Sequence, residues 1–357
     1  MRYAILLAGR ARRREDVAAG TEPRRDWLEL ADALGAQLIE GGEAGRSGAI
    51  PGMSAAWRAF ARRDEYDVIV TDSERTGLPL ALLFKLTRTR RGHVMIAHWL
   101  RPMRKRLLLR LLGGKSAVDR VVVYGSAQER FALEDLGLPR AKVELVLHAA
   151  DAEFWRPIGQ APSGICSAGL ERRDYGTLIE AVRGLDLVVT VAAASAWSRN
   201  DPLPDQTLPA NVVKRRLDYR GLRDLYDRSE FVVVPLQDVD FQAGSLVMYE
   251  AMAMGKAVIA TRTRAHRDGD IVRDGETGLL VPPGDPGALR EAIVRLHTDP
   301  AAARRMGENA RRVVEASLNH DTYVRRMLQI VRAVGDELGG PARATDPKAM
   351  PVRTGSR

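Results

Sequence analysis

Short runs of Val, Ile and Leu, separated by stretches of helical period, recur along the chain and constrain its fold more than any other feature. In the first half these runs are Tyr3–Leu7, Asp67–Val70, His93–Ala97, Arg120–Tyr124 and Val143–Leu147. They are apolar on both faces, as a strand covered on both sides of a parallel sheet must be. Between them Arg24–Leu34, Thr76–Leu86, Met103–Leu112 and Ala127–Leu136 place apolar residues at helical spacing. Strand and helix in alternation predict an α/β fold built on a doubly wound parallel sheet.

The alternation stops once. Phe154–Gly164 carries two prolines and two glycines and no apolar period, which marks a linker. It then resumes with strands at Gly164–Ala168, Leu187–Ala192, Phe231–Pro235, Ala257–Thr261 and Gly278–Val281, and helices at Tyr175–Val182, Tyr219–Ser229, Ser245–Met254 and Pro286–Leu296. A length of 357 residues suits two cores of about 150 residues each. The expected division is an N-terminal domain over 1–155, a linker over 156–164 and a C-terminal domain over 165–338 that includes three further helical stretches. A polar, disordered tail is expected over 339–357. Two open parallel sheets face each other across a cleft, and ligands of such sheets bind at the C-terminal ends of the strands.

Several function classes lose support. Cys166 is the one cysteine, so no internal disulfide forms, and no apolar leader follows Met1; both favour a reducing cytoplasm. No apolar run approaches the roughly 18 residues that span a bilayer. No Cys/His cluster, phosphate-binding Gly-Lys-Ser/Thr loop or Gly-x-Ser-x-Gly elbow is present. Asp238-Val-Asp240 spells a pattern that binds metal diphosphates in another fold, but three residues with one wildcard arise readily by chance. No bound metal or cofactor is expected.

The most informative stretch is Phe231–Thr261, which reads as strand, loop, helix, turn, strand. Gly244, Ser245 and Leu246 open its helix with Ser245 as the expected N-cap, so free N–H groups and the positive helix end suit a phosphate or diphosphate. Glu250 lies more than one turn further on, where a carboxylate can accept two hydrogen bonds from ribose hydroxyls; the pattern alone more readily describes a surface glutamate.

This stretch resembles the retaining, nucleotide-sugar-dependent glycosyltransferases of family 4, which have the two-domain GT-B fold. In that family a Glu, seven residues and a second Glu precede a Gly-Lys/Pro-Val-Ile strand, and here the matching residues are Gln242 and Glu250-Ala-Met-Ala before Gly255-Lys-Ala-Val-Ile. Arg273–Pro286 is similar to the family's closing strand and turn. The resemblance implies that Glu250 holds the donor ribose and that position 242 contacts the sugar. Glutamine there keeps hydrogen bonds but carries no charge. A second match, Ser167–Ala181, implies that Arg173 and Arg172 neutralise the leaving diphosphate, although Leu170 stands where an arginine often follows the glycine. His98, closing the strand Val94–Ala97, is similar to the family's strand-ending histidine beside the donor sugar; without the resemblance it reads as a structural residue. Only Gly9 remains of the glycine-rich first turn, and the long loop Arg10–Arg25 leaves the acceptor side undefined. The implied reaction is transfer of a sugar, UDP-linked by expectation, to a hydroxyl by same-face displacement. A sugar-nucleotide epimerase and a noncatalytic sensing or docking protein remain as alternatives.

Charge is unevenly placed. Between Glu74 and Asp119 lie eleven basic and no acidic residues, more than the chain's whole net charge of +9. Pro102–Gly113 concentrates Arg104, Lys105, Arg106 and Arg110 on a leucine-rich helix that follows Arg101. Such a helix reads either as a peripheral anchor on an anionic membrane surface or as a solvated helix packed by its leucines. Nucleic acid is not expected, because no aromatics interleave with these charges.

Overall fold

The computed structural model describes residues 1–9, 14–41, 51–111, 117–193, 208–266 and 269–339. The N-terminal half runs β1 (Tyr3–Leu7), α1 (Arg14–Ala18), α2 (Asp26–Leu34), β2 (Gln37–Glu40), α3 (Pro51–Ala61), β3 (Val68–Thr71), α4 (Glu74–Thr87), β4 (Gly92–Ala97), α5 (Met103–Leu111), β5 (Arg120–Val123), α6 (Ser126–Arg130) and β6 (Val143–Leu145). The C-terminal half runs β7 (Ile165–Ala168), α7 (Tyr175–Val182), β8 (Val189–Ala192), β9 (Val212–Arg215), α8 (Tyr219–Arg228), β10 (Val232–Val234), α9 (Ser245–Ala253), β11 (Val258–Thr261), β12 (Gly278–Val281), α10 (Pro286–Thr298), α11 (Pro300–Ser317) and α12 (His320–Gly339).

Each half holds one six-stranded sheet, in the orders β2-β1-β3-β4-β5-β6 and β12-β11-β10-β7-β8-β9, and every pairing is parallel. The strand order reverses between β1 and β3 in one sheet and between β7 and β10 in the other. Crevices open beside such reversals, outside the carboxyl ends of the strands. The central strands are buried end to end because Val, Ile and Ala face helices on both sides.

Two edge strands were not expected, Gln37–Glu40 and Val212–Arg215. Their polar and charged residues blunt the sheet edges and erase the apolar signature. Helix α3 begins at Pro51-Gly52, a pair that reads as a turn, although proline suits a first helical turn. Among the described residues two helices, not three, follow α10. The last of these belongs with the N-terminal sheet and not with the C-terminal domain: Tyr323, Met327, Ile330, Val331 and Val334 of α12 pack against Val68, Val70, Val94 and Ile96. The chain therefore crosses between domains twice. The linker is pinned rather than loose, since Trp155 is buried in the C-terminal core and Asp227 accepts the N–H groups of Ile158 and Gln160 at 2.9 and 2.8 Å. The expected tail starts one residue too early, at Gly339 in α12; the rest of it, with Leu112, Gly113 and the loop residues Arg10–Arg13, lies outside the described residues.

No helix among the described residues is long and apolar enough to cross a membrane.

Candidate functional site

The site grows out of the reversal between β7 and β10. After β7 the chain turns at Gly169, whose φ of +92° suits glycine, and a side chain there would strike the Arg173 guanidinium. Arg172 also adopts a left-handed backbone, with φ +55°, and its carbonyl accepts the N–H of Gln237 at 3.0 Å. This turn carries Arg173 inward to 5% exposure, where its Nε donates to the Ala168 carbonyl at 2.8 Å and its Nη1 to that of Glu171 at 3.0 Å. Asp174 then caps α7 by accepting the Thr177 N–H at 3.1 Å, so the helix start fixes the position of the arginine before it. Among the described residues no carboxylate forms an ion pair with Arg173. Burial lowers its proton affinity, but a guanidinium stays charged at any working pH. Arg172 remains exposed, so the structure separates the two arginines and places Arg173 alone at the helix start.

That start belongs to α9. Gly244, not Ser245, is its N-cap, with φ +78° and no capping side chain; the Ser245 hydroxyl donates instead to the Gln242 carbonyl at 3.0 Å. A Cβ on Gly244 would lie 3.2 Å from Arg173 Nη1, so the guanidinium and the uncapped helix end meet at one place. Two independent positive features thereby converge, and among the described residues no carboxylate pairs with either. Leu246 is half exposed beside them.

Glu250 follows on the same helix, partly buried, with Oε2 accepting the Tyr226 hydroxyl at 3.1 Å. Burial pushes its carboxyl up to about 7, against the pull of that hydrogen bond and of Arg25 and Arg173. Tyr226 carried no signal in the sequence beyond its helical apolar position.

Gln242 sits in the loop between β10 and α9. Its Nε2 donates to the Ala265 carbonyl at 2.9 Å, its Oε1 is buried with no partner among the described residues, and its carboxamide presses on Gly125 of the N-terminal domain, where any Cβ would clash with it. Across the cleft His98 directly follows β4 in an exposed position; its Nε2–H donates to the Asp72 carbonyl at 2.9 Å and its ring lies 5.2 Å from that of Tyr124, the residue before Gly125. Near Gly9, the Ala8 N–H reaches Asp72 at 2.7 Å. Asp238 pairs with Arg264 at 3.0 Å and Asp240 accepts Trp99 Nε1–H at 2.9 Å, so the two aspartates of the Asp-x-Asp pattern serve separate partners.

The basic residues are less free than their sequence suggested. Lys105 binds the buried Glu74 at 3.2 Å, Arg101 lies 3.8 Å from Asp240 and stacks over Phe131, Arg106 also lies over Phe131, and Arg110 donates to the Asp135 carbonyl at 3.2 Å. Arg104 is exposed and forms no ion pair among the described residues.

The cleft is bridged on both sides. On one side Arg25 donates to the Tyr219 hydroxyl at 3.0 Å and Arg220 to the carbonyls of Gly20 and Ala19 at 3.0 and 2.8 Å; on the other, Trp99 meets Asp240 and Ser126 donates to Asp270 at 2.9 Å.

The sequence model of the family Glycosyl transferases group 1 matches residues 179–299, which include α9. The chain is 28% identical over 313 residues to a lipopolysaccharide core biosynthesis mannosyltransferase, LpcC, of Rhizobium leguminosarum bv. viciae, covering 81% of this chain and 80% of that one. It is 26% identical to an MMP α-(1→4)-mannosyltransferase of Mycolicibacterium hassiacum, over 73% of this chain and 69% of the relative. Among solved structures, sucrose-phosphate synthase of Thermosynechococcus elongatus superposes with a TM-score of 0.72 at 20% identity, over 94% of this chain and 99% of the other. Anabaena HepE in complex with UDP-glucose superposes with a TM-score of 0.69 at 14% identity, over 93% and 100%. Parallel sheets facing across a cleft, with relatives that transfer sugars and neighbours of the same architecture, lead to one conclusion: the chain is a glycosyltransferase of the GT-B fold.

Proposed function

We propose that this glycosyltransferase takes its sugar from a nucleoside diphosphate sugar, UDP-linked, and passes it with retention of configuration to a hydroxyl acceptor at a membrane face. The observation that carries the donor reading is the uncapped start of α9 beside a buried guanidinium that has no carboxylate partner among the described residues. A diphosphate there accepts the first N–H groups of α9 and the Arg173 fork together, and negative charge growing on the leaving group strengthens both contacts. Glu250 holds the ribose hydroxyls, while Gln242 and His98 meet the sugar from the two sides of the cleft. An amide at position 242 is no nucleophile for a covalent glycosyl intermediate there. The account therefore uses same-face displacement, in which the departing diphosphate helps to take the proton of the incoming hydroxyl. Bridges across the cleft exclude water that would otherwise hydrolyse the donor.

Support for a membrane face comes from the N-terminal domain. Met53 and Trp57 on α3, Leu82 and Leu86 on α4, and Met103 and Leu107 on α5 are large apolar side chains exposed on helices that cover one face of the sheet. Arg58, Lys85, Arg104 and Arg110 are exposed among them. Apolar side chains within a basic surface suit an anionic leaflet.

A thermal-shift panel of UDP, GDP and ADP tests the donor reading. A ligand at 100 times its Kd adds about 2.7 kcal/mol, a shift of a few degrees. Stabilisation by UDP alone fixes the donor class. Stabilisation by GDP or ADP instead overturns the UDP assignment and keeps the diphosphate site. No shift with any of the three refutes the diphosphate site.

A further inference from the structure

Trp99 is held with unusual completeness for a residue on a cleft rim. Its N–H donates to Glu74 Oε1 at 2.6 Å and its carbonyl accepts Lys105 Nζ at 2.9 Å, while Lys105 also binds Glu74 at 3.2 Å. Glu74 is 3% exposed and Lys105 is half-buried, so an ion pair with one buried partner fixes the backbone of this one residue on both sides. Breaking such a pair by removing one partner is costly, which makes the mounting stiff. The indole then crosses to the other domain: Nε1–H donates to Asp240 Oδ1 at 2.9 Å, and the ring lies 5.1 Å from Phe241 at 38°. Asp240 and Phe241 immediately precede Gln242, whose carboxamide rests on Gly125, again in the N-terminal domain. The loop that leads into α9 is thus gripped from across the cleft at consecutive residues.

We propose that Trp99 is the positioning residue of this loop: mounted on the N-terminal domain, it latches Asp240 and Phe241 and so sets Gln242 for the donor sugar only when the cleft is closed. Nucleotide recognition lies elsewhere, at Arg173, Gly244 and Glu250, so the latch acts on turnover and not on nucleotide affinity. The inference rests on the donor reading of the α9 loop.

The test uses the full chain with Trp99→Phe, Asp240→Ala, Asp240→Asn and the double variant Trp99→Phe/Asp240→Ala. Phenylalanine keeps the ring stack and removes the N–H donor; asparagine keeps an oxygen acceptor. Turnover of the nucleotide sugar selected by the panel is measured beside the Kd of its free nucleoside diphosphate. Loss of the hydrogen bond from the indole N–H to an oxygen acceptor at position 240 predicts a fall in kcat of about tenfold for Trp99→Phe and for Asp240→Ala. The Kd stays within twofold, Asp240→Asn stays close to wild type, and the double variant is no worse than either single one. Amide exchange over 238–244 speeds up in the two damaging variants and not in Asp240→Asn. Normal turnover in Trp99→Phe, additive losses in the double variant, or equal damage from Asp240→Asn and Asp240→Ala each overturns the latch. If the wild-type protein binds no nucleoside diphosphate, the donor reading fails, and amide exchange alone still decides whether the loop is latched.

Discussion

Replacing Glu250 by glutamine should move stability and nucleotide affinity in opposite directions. The carboxyl ionises near 4.5 in the unfolded chain and at about 7 in the folded protein, where burial disfavours its charge. A group with a raised folded value favours the fold only while it is protonated. Its penalty therefore grows as pH rises from about 4.5 to about 7 and is complete above that. At about 1.4 kcal/mol for each pH unit the penalty at pH 8 is at most about 3 to 4 kcal/mol, less whatever solvent reaches this partly buried group. Glutamine keeps an oxygen for the Tyr226 hydroxyl and removes the charge. The expected result, by thermal unfolding without ligand, is a Tm above wild type at pH 8 and equal to it near pH 4.5. Nucleoside diphosphate binding goes the other way. Losing charge-assisted bonds to ribose weakens affinity about tenfold or more, and the wild-type rise in affinity between pH 6 and 8 flattens. Unchanged affinity in Glu250→Gln refutes the ribose contact, and a lower Tm at pH 8 refutes the burial argument.

Arg173→Ala should lower kcat at least about tenfold because the leaving diphosphate loses a buried cation, and full activity in a steady-state assay removes Arg173 from the site. Membrane docking should fall when Met103 and Leu107 are replaced by serine, by roughly tenfold for each side chain that enters the leaflet, as read by sedimentation with phosphatidylglycerol vesicles. Binding that survives both substitutions, or that ignores added salt, counts against α5 as the anchor.

The sheets were legible in the sequence because buried parallel strands leave uninterrupted Val and Ile runs, as in Val68–Val70 and Val232–Val234. The edge strands were not, because an edge must be polar to stay unpaired, and Lys214 and Arg215 hide β9. The destination of α12 was equally hidden: its apolar stripe of Tyr323, Met327, Ile330 and Val334 specifies a helix that buries one face, not which domain receives it. At the site, Gly244 and Glu250 stood out by spacing from a helix start. The sequence points to Ser245 and not Gly244 as the N-cap because both residues open helices, and the Ser245 hydroxyl's turn toward the Gln242 carbonyl separates them. The basic stretch overstated its free charge, since pairing with Glu74 and Asp240 depends on residues far away in sequence. Trp99 gave no signal at all, because its significance lies in a contact across the cleft.

The most direct measurement titrates wild-type protein calorimetrically with a nucleoside diphosphate and with its parent nucleoside, without metal. The account predicts that the diphosphate binds at least about a hundredfold more tightly, from charge-assisted bonds to Arg173 and the N–H groups of α9. Equal affinity for the two would contradict it, because the positive end of α9 would then not be where the donor is held.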